Sequence, residues 1–131
     1  MLRVVSALSE TEEAVVAACI DCGIAVHREL GPGFKEAIYH QALRLELNSR
    51  GLRFETEKPI VVRYKTWEIP GQKLDLLVEG VVIVEVKAVP KLLTLHRYQV
   101  QSYLRTLNLR IALLMNFRSS LLKHGLRRVI P

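Results

Sequence analysis

The chain has 131 residues, half of them hydrophobic and 24% charged, which suits one folded domain with a single buried core rather than a disordered segment. No apolar run approaches the length of about 20 residues that crosses a bilayer. The N-terminus has Arg3 but no adequate apolar segment followed by a small-residue cleavage site. No signal peptide is therefore expected, and the predicted location is cytoplasmic.

Charge is distributed unevenly along the chain. Residues 86 to 131 contain nine Lys or Arg and no Asp or Glu, whereas residues 1 to 85 contain all 13 acidic residues and 10 basic ones. A one-sided basic segment suits a polyanion, and nucleic acid is the commonest polyanionic partner. A merely solubilising surface would have the same composition, so charge alone leaves both interpretations open.

Two helices are predicted in the first 50 residues. Ser9 followed by Glu12 is a capping-box signature, and apolar residues recur at three- and four-residue intervals, which predicts a helix from about residue 10 to 30. Gly31-Pro32-Gly33 breaks this helix. A second helix is predicted from Phe34 to about Arg50, before Gly51.

Cys19 and Cys22 are the two cysteines of the chain, and both lie midway along the first predicted helix. A zinc site needs four ligands, and neither a second cysteine pair nor a well-spaced histidine pair accompanies them. We interpret them as buried free thiols, which also fits a reducing compartment.

Strands are predicted in the middle of the chain. Residues 54 to 65 are rich in β-branched side chains, which favours a strand. Ile69-Pro70-Gly71 is typical of a turn. Residues 73 to 89 then predict two apolar strands on either side of Gly80, with the composition of strands buried on both faces.

Charged residues interrupt these two apolar strands. If the turn is centred on Gly80, Asp75 lies across from Glu85; a turn one residue shorter would pair Asp75 with Val84 instead. Glu85 and Lys87 share a face because side chains alternate along a strand. Charges in a buried strand are costly unless they are paired or bind a metal. The pattern therefore indicates a hard-cation site with an amine beside it, or a simple ion pair on a half-exposed strand.

The last third of the chain predicts a helix from Thr94 to about Leu107, an apolar strand from Arg110 to Phe117 and a short edge strand from Arg127 to Ile130. The predicted order of elements is α, α, β, β, β, α, β, followed by the short edge strand. This order predicts one α/β domain over residues 1 to 131, in which a hairpin-linked part of a mixed sheet is extended by a helical crossover.

The ordered motifs resemble the PD-(D/E)xK nuclease superfamily, and more closely its GxxExxY proteins. Residues 33 to 39, Gly-Phe-Lys-Glu-Ala-Ile-Tyr, match that name letter for letter. The proline that precedes the metal-binding aspartate in the superfamily is Leu74 here. The later motifs of the family match Lys73 to Glu79, Val84 to Ala88, Gln99 to Leu104 and Asn116-Phe117.

This resemblance implies a restriction-endonuclease-like PD-(D/E)xK core, with a mixed central β-sheet flanked by helices. It also implies a Mg²⁺ site, with Mn²⁺ as a substitute, formed by Asp75, Glu85 and the Val86 carbonyl. Such an ion would polarise the phosphate and lower the pKa of a bound water. Lys87 would orient or deprotonate the nucleophile and offset developing charge.

Three further catalytic candidates follow from the resemblance. Glu36 would hold a metal-bound water or a second ion, although a first-turn acid also complements the helix dipole. Gln99 and Tyr103 are spaced i, i+4 and share a helix face. They would orient the metal shell or contact DNA, unless they only cap the core.

The resulting prediction is a Mg²⁺-dependent DNA nuclease. Its Gln-x-x-x-Tyr motif resembles that of the exonuclease-like branches of the superfamily, and this resemblance implies an exonuclease-like or end-processing mode. A structure-selective endonuclease like a Holliday-junction resolvase, and a non-catalytic nucleic-acid-binding module, are the alternatives. A homodimer is expected because a small domain offers little surface for a duplex. The segment that would form its interface contains Leu121, Leu122, Leu126, Val129 and Ile130.

Overall fold

Five strands form one mixed sheet with helices on both faces, in a computed structural model that describes residues 7 to 131. The expectation about a leader peptide concerns residues that lie largely outside this range. The helices are α1 (Glu10–Leu30), α2 (Glu36–Ser49), α3 (Thr94–Leu107) and α4 (Leu122–Gly125). The strands are β1 (Phe54–Tyr64), β2 (Trp67–Val78), β3 (Val82–Lys87), β4 (Ile111–Asn116) and β5 (Leu126–Val129). The predicted α/β class is confirmed, and the short helix α4 is an addition to it.

The strands follow one another across the sheet in chain order. The pairs β1–β2, β2–β3 and β4–β5 are antiparallel, whereas β3 and β4 are parallel and are connected through α3. Leu76 pairs with Val84, and Val78 pairs with Val82. This register centres the turn on Gly80, so the predicted alignment of Asp75 with Glu85 is correct.

The sheet separates two hydrophobic layers. The larger layer lies between the sheet and helices α1 and α2, and it includes Val84 and Val86 of β3. The smaller layer lies under α3, and it includes Ile83 of β3 and Val100 of α3. Because side chains alternate along β3, Glu85 points toward the layer under α3.

The prediction of a turn at Ile69-Pro70-Gly71 is wrong. The hairpin turn lies between Tyr64 and Trp67, and β2 runs through the proline. The tolerance of Pro70 has a physical reason: β3 pairs with β2 only from Leu76 to Val78, so this part of β2 has β1 as its partner on one side alone. A register shift between Ile60 and Val62 of β1 absorbs the irregularity.

Local signals at the start of α1 are confirmed. The Ser9 side chain accepts from the Glu12 backbone N–H, and the Glu12 carboxylate accepts from the Ser9 N–H, as in a capping box. Cys19 and Cys22 are free and buried, and burial raises the pKa of the Cys19 thiol to about 12. Within residues 7 to 131, no helix has the length and apolar character needed to cross a membrane.

Candidate active site

The candidate site lies where β2 separates from β3, and we call this place the fork. Leu76 is the first residue of β2, in chain order, that pairs with β3. Leu74 belongs to the layer under α3, whereas Leu76 belongs to the layer under α1 and α2. Residues two apart in a regular strand share a face, so the alternation of β2 is broken at the residue between them, Asp75.

Side chains replace the backbone ladder at the fork. The backbone N–H of Asp75 donates to Glu85 Oε1 at 2.9 Å, and the backbone N–H of Val86 donates to Asp75 Oδ2 at 2.9 Å. Each carboxylate therefore reaches across to the opposite strand. The two acids that are predicted as metal ligands are brought together in this way, and the backbone of Val86 is hydrogen-bonded to one of them, Asp75.

Glu85 is buried to 3% exposure, in surroundings that disfavour its charged form. Burial and then the neighbouring Asp75 carboxylate raise the pKa of Glu85 from 4.5 to about 8, against smaller opposing effects of the Asp75 N–H and Lys87. Because the carboxylates of Asp75 and Glu85 are close together, binding of a proton or a cation at the fork relieves the repulsion between their negative charges.

Lys87 ends β3 on the same side of the strand as Glu85. Its Nζ donates to Gln99 Oε1 of α3 at 3.3 Å. Its backbone carbonyl accepts from the Phe117 N–H at 2.9 Å, which ties the end of β3 to the end of β4. The buried Asn116 side chain then binds both the N–H and the carbonyl of Val89, at 3.1 and 2.9 Å. These hydrogen bonds hold the backbone at Lys87, the last residue of β3, in place.

Tyr103 lies one turn after Gln99 on α3 and faces the same region. Its hydroxyl accepts a hydrogen bond from Gln72 Nε2 of β2. Burial and then the negative charge of Glu85 raise the pKa of Tyr103. Gln99 and Tyr103 thus share a face, as the sequence predicts, and that face looks onto the fork. Beside Lys87, a cleft of about 500 Å³ opens between α3 and the β1–β2 hairpin, with Gln99 and Tyr103 in its wall.

The GxxExxY motif has a structural half and an exposed half. Tyr39 is fully buried, stacks on Phe117 with ring centroids 4.8 Å apart, and hydrogen-bonds to the Gly31 carbonyl and the Phe34 N–H. It thereby closes the turn between α1 and α2. Glu36 is exposed on the first turn of α2. Its predicted catalytic role stays a prediction.

Sequence reasoning missed two residues beside the fork. One donor atom each from His40, Glu57 and Asp75 lies within 4.8 Å of the other two, and these residues form a possible metal-binding group within residues 7 to 131. His40 follows Glu36 by four residues on α2, a spacing that places both on one side of the helix. That spacing was a usable signal, whereas Glu57 lies in a strand whose β-branched character gave no sign of a ligand.

The fold and these side chains define the class of protein: a restriction-endonuclease-like α/β domain with acidic donors at a fork in its sheet. The family model of the PD-(D/E)XK nuclease superfamily matches residues 13–129, and the chain belongs to this superfamily. Its nucleases depend on divalent metal ions and hydrolyse phosphodiester bonds. No curated protein and no solved structure matches the chain.

The residues at the fork fit a divalent cation. Asp75 and Glu85 supply carboxylate oxygens, which are the ligands that Mg²⁺ and Mn²⁺ prefer in proteins. The raised pKa of Glu85 indicates that the pair of acids lacks a full counter-charge. Because Mg²⁺ keeps several waters beside one or two carboxylates, a donor set this small is adequate.

Proposed function

We propose that the protein is a Mg²⁺-dependent DNA nuclease that hydrolyses phosphodiester bonds in an exonuclease-like or end-processing mode. The observation that carries the proposal is the pair of 2.9 Å hydrogen bonds that hold Asp75 and Glu85 on each other's strands, with Lys87 next along β3. Asp75, Glu85 and the Val86 carbonyl would hold Mg²⁺, or Mn²⁺ in its place. The bound ion supplies Lewis acidity toward the phosphate and toward a water ligand.

Lys87 is the group that would act on the reacting phosphate. Lys87 is half-buried and lines the cleft, where its ammonium would donate to a non-bridging phosphate oxygen and stabilise the charge that develops there. Gln99, as acceptor of the Lys87 hydrogen bond, would hold that ammonium in position. Tyr103 would orient the polar groups of the fork or contact a phosphate, and Glu36 would contact an outer water.

Charge around the cleft supports nucleic acid as the substrate. Arg97 and Arg105 are exposed on α3, the helix that forms one wall of the cleft. Arg128 is instead paired with Glu13 at 2.8 Å, and Arg110 lies 3.7 Å from Glu12. The acids of α1 thus offset part of the basic segment, which leaves α3 as the better candidate for phosphate contacts.

The β1–β2 hairpin supports single strands or ends as the preferred form of DNA. Trp67 is 61% exposed and stacks on the exposed Tyr64, with ring centroids 6.2 Å apart. Exposed aromatic rings bind unpaired bases by stacking, with little dependence on sequence. Trp67 packs on Tyr64 rather than in the core, and its exposed surface would be available to a base.

We further propose that the protein forms a homodimer in the cytoplasm. Leu122 and Val129 pack inward, but Leu121 and Ile130 are 51% and 63% exposed near the edge strand β5. Exposed apolar side chains beside an open strand edge favour pairing with a second copy. Two buried free thiols are compatible with a reducing compartment.

A cleavage assay on a panel of DNA substrates tests the function. Metal-free protein would be given Mg²⁺, Mn²⁺ or EDTA with linear, nicked, single-stranded and four-way DNA, and with single-stranded RNA. We expect metal-dependent cleavage of single strands or ends, absent in Asp75→Asn and Glu85→Gln. Preferred cutting of the four-way junction would replace the proposal with a resolvase-like activity. DNA binding without cleavage in either metal would leave a non-catalytic module.

A further inference from the structure

Asp75 lies close to two further potential metal ligands, His40 and Glu57. Glu57 belongs to β1, which pairs with β2 on the side opposite β3, the strand of Glu85. His40 comes from α2, Glu57 from β1 and Asp75 from β2, and one donor atom of each lies within 4.8 Å of the other two. Bonds from nitrogen or oxygen to a transition-metal ion are about 2.0 to 2.2 Å, so two donors on one ion lie roughly 3 to 4 Å apart. The 3.7 Å between His40 Nε2 and Glu57 Oε1 is of that size.

His40 provides an independent observation. Its side chain is only 10% exposed, and Nε2 has no hydrogen-bond partner anywhere in residues 7 to 131. Buried ring nitrogens are nearly always satisfied, because an unpaired one loses its hydration without replacement. The 3.7 Å separation from Glu57 is too long for a hydrogen bond, so the nitrogen is directed at a carboxylate without bonding to it.

The backbone at Glu57 points in the same direction. Glu57 lies opposite Asp75, since its neighbours Thr56 and Lys58 pair with Leu76 and Leu74. Glu57 has φ +51°, a left-handed backbone conformation that residues other than glycine rarely adopt. Strained residues of this kind cluster at ligand-binding positions, where the surrounding structure holds them. Here the strain lies at a donor residue.

We propose that His40, Glu57 and Asp75 form a second cation site, which shares Asp75 with the Mg²⁺ site at the fork and takes Mn²⁺ or Zn²⁺ in preference to Mg²⁺. The preference follows from the imidazole ligand, which suits transition metals, whereas Mg²⁺ favours oxygen donors and gives up its waters reluctantly. Asp75, Glu85 and Glu57 together supply three negative charges to the two ions, and the imidazole of His40 is a neutral ligand. The Lys73 ammonium lies 3.3 Å from Glu57 Oε2, but its side chain is largely exposed and is free to turn away.

Metal binding, rather than cleavage, tests the site directly. EDTA-treated protein would be titrated with Mn²⁺ by calorimetry, and nitrogen coupling to bound Mn²⁺ would be recorded by pulsed electron paramagnetic resonance. We expect two ions per chain and a ¹⁴N coupling from imidazole. His40→Gln and Glu57→Gln should each weaken the binding of one of the two Mn²⁺ ions by more than about 100-fold, so that this ion is no longer detected in the titration. The loss of an outer hydrogen-bond partner of a metal ligand alone costs about 10- to 100-fold in affinity. His40→Gln should also abolish the nitrogen coupling.

Matched variants separate this site from the one at the fork. Glu55→Gln changes an exposed acid of the same strand, and His124→Gln changes an exposed histidine, so both should keep two ions. Glu85→Gln should lose the fork ion and keep the nitrogen-coupled one, whether or not the protein is a nuclease. One ion per chain, unaffected by His40→Gln and Glu57→Gln, would overturn the proposal. So would two ions without nitrogen coupling, which would leave His40 and Glu57 as an ion pair.

Discussion

The carboxylate of Asp75 accepts a hydrogen bond from the buried backbone N–H of Val86 at 2.9 Å. This acid is therefore part of the sheet as well as a potential ligand. Removal of its oxygens leaves a buried donor unpaired, whereas an amide side chain keeps an acceptor in place. Variants at this position have two separable effects, one on stability and one on metal binding.

We expect Asp75→Ala to lower the free energy of unfolding by about 1–3 kcal/mol, the usual cost of an unsatisfied buried group. Asp75→Asn should lose less, because its carbonyl oxygen can accept from Val86. Both variants should abolish metal-dependent cleavage. Urea denaturation in EDTA measures the difference, and equal stability of the two variants would show that the hydrogen bond contributes little.

The stability of the metal-free protein should fall as the pH rises from about 4.5 to about 8. The folded chain keeps the proton of Glu85 up to a pKa of about 8, whereas the unfolded chain releases it near 4.5. Between these values the folded state binds more protons, so each increase in pH favours unfolding. Denaturation across this range should show a steeper decline for the natural protein than for Glu85→Gln. Saturating Mg²⁺ should recover stability at pH 8.

Lys87→Met should reduce kcat by about 10²–10³, the usual effect of removing one donor to a developing negative charge. Mg²⁺ affinity, measured by calorimetry, should stay within a few-fold, because the lysine is not a ligand. Gln99→Leu should give a smaller loss of kcat that depends on Lys87, so the double variant should be no worse than Lys87→Met. Lys91→Met, an exposed lysine beyond β3, is the matched control. A pure KM effect at Lys87 would contradict its role on the reacting phosphate.

DNA affinity should fall steeply with ionic strength, as it does wherever lysines and arginines contact phosphates. Replacing Arg97 or Arg105 with Gln should flatten the plot of log Kd against log salt by about one unit if that residue contacts a phosphate. Arg128→Gln is the control, because Arg128 is already paired with Glu13 through two hydrogen bonds. Fluorescence anisotropy with single-stranded DNA measures the slopes. An affinity for DNA that does not change with ionic strength would contradict phosphate contacts and would favour a protein partner.

We expect the proposed homodimer to give a mass of twice 14.9 kDa by light scattering at micromolar concentration. Leu121→Ser together with Ile130→Ser should shift the mass toward one chain, because both side chains are exposed near β5. Ile69→Ser, an exposed residue on the hairpin, should leave the mass unchanged. A monomer at all concentrations would remove the dimer and leave an end-processing monomer.

Much of the fold follows from local sequence signals. The capping box at Ser9 and Glu12 determines where α1 begins, and the turn centred on Gly80 determines that Asp75 meets Glu85. The spacing of Gln99 and Tyr103 likewise determines that they share a face of α3. These signals are reliable because hydrogen bonds and side-chain periodicity act within one or two turns of the chain.

Other features depend on how separate elements pack. Pro70 lies within a strand because β3 does not extend along that part of β2, which no local pattern reveals. The acids of α1 lie beside Arg110 and Arg128, so the charge contrast along the sequence is smaller in space.

The convergence at Asp75 is likewise decided by tertiary structure. His40, Glu57 and Asp75 come from one helix and two strands, and they meet because α2 packs on the sheet face that Leu76 also joins. Leu74 packs on the opposite face, so the strand must break its alternation between them. The period-two alternation of a regular strand does not predict this change of face. The change follows from the packing of Leu74 and Leu76 into two separate hydrophobic layers.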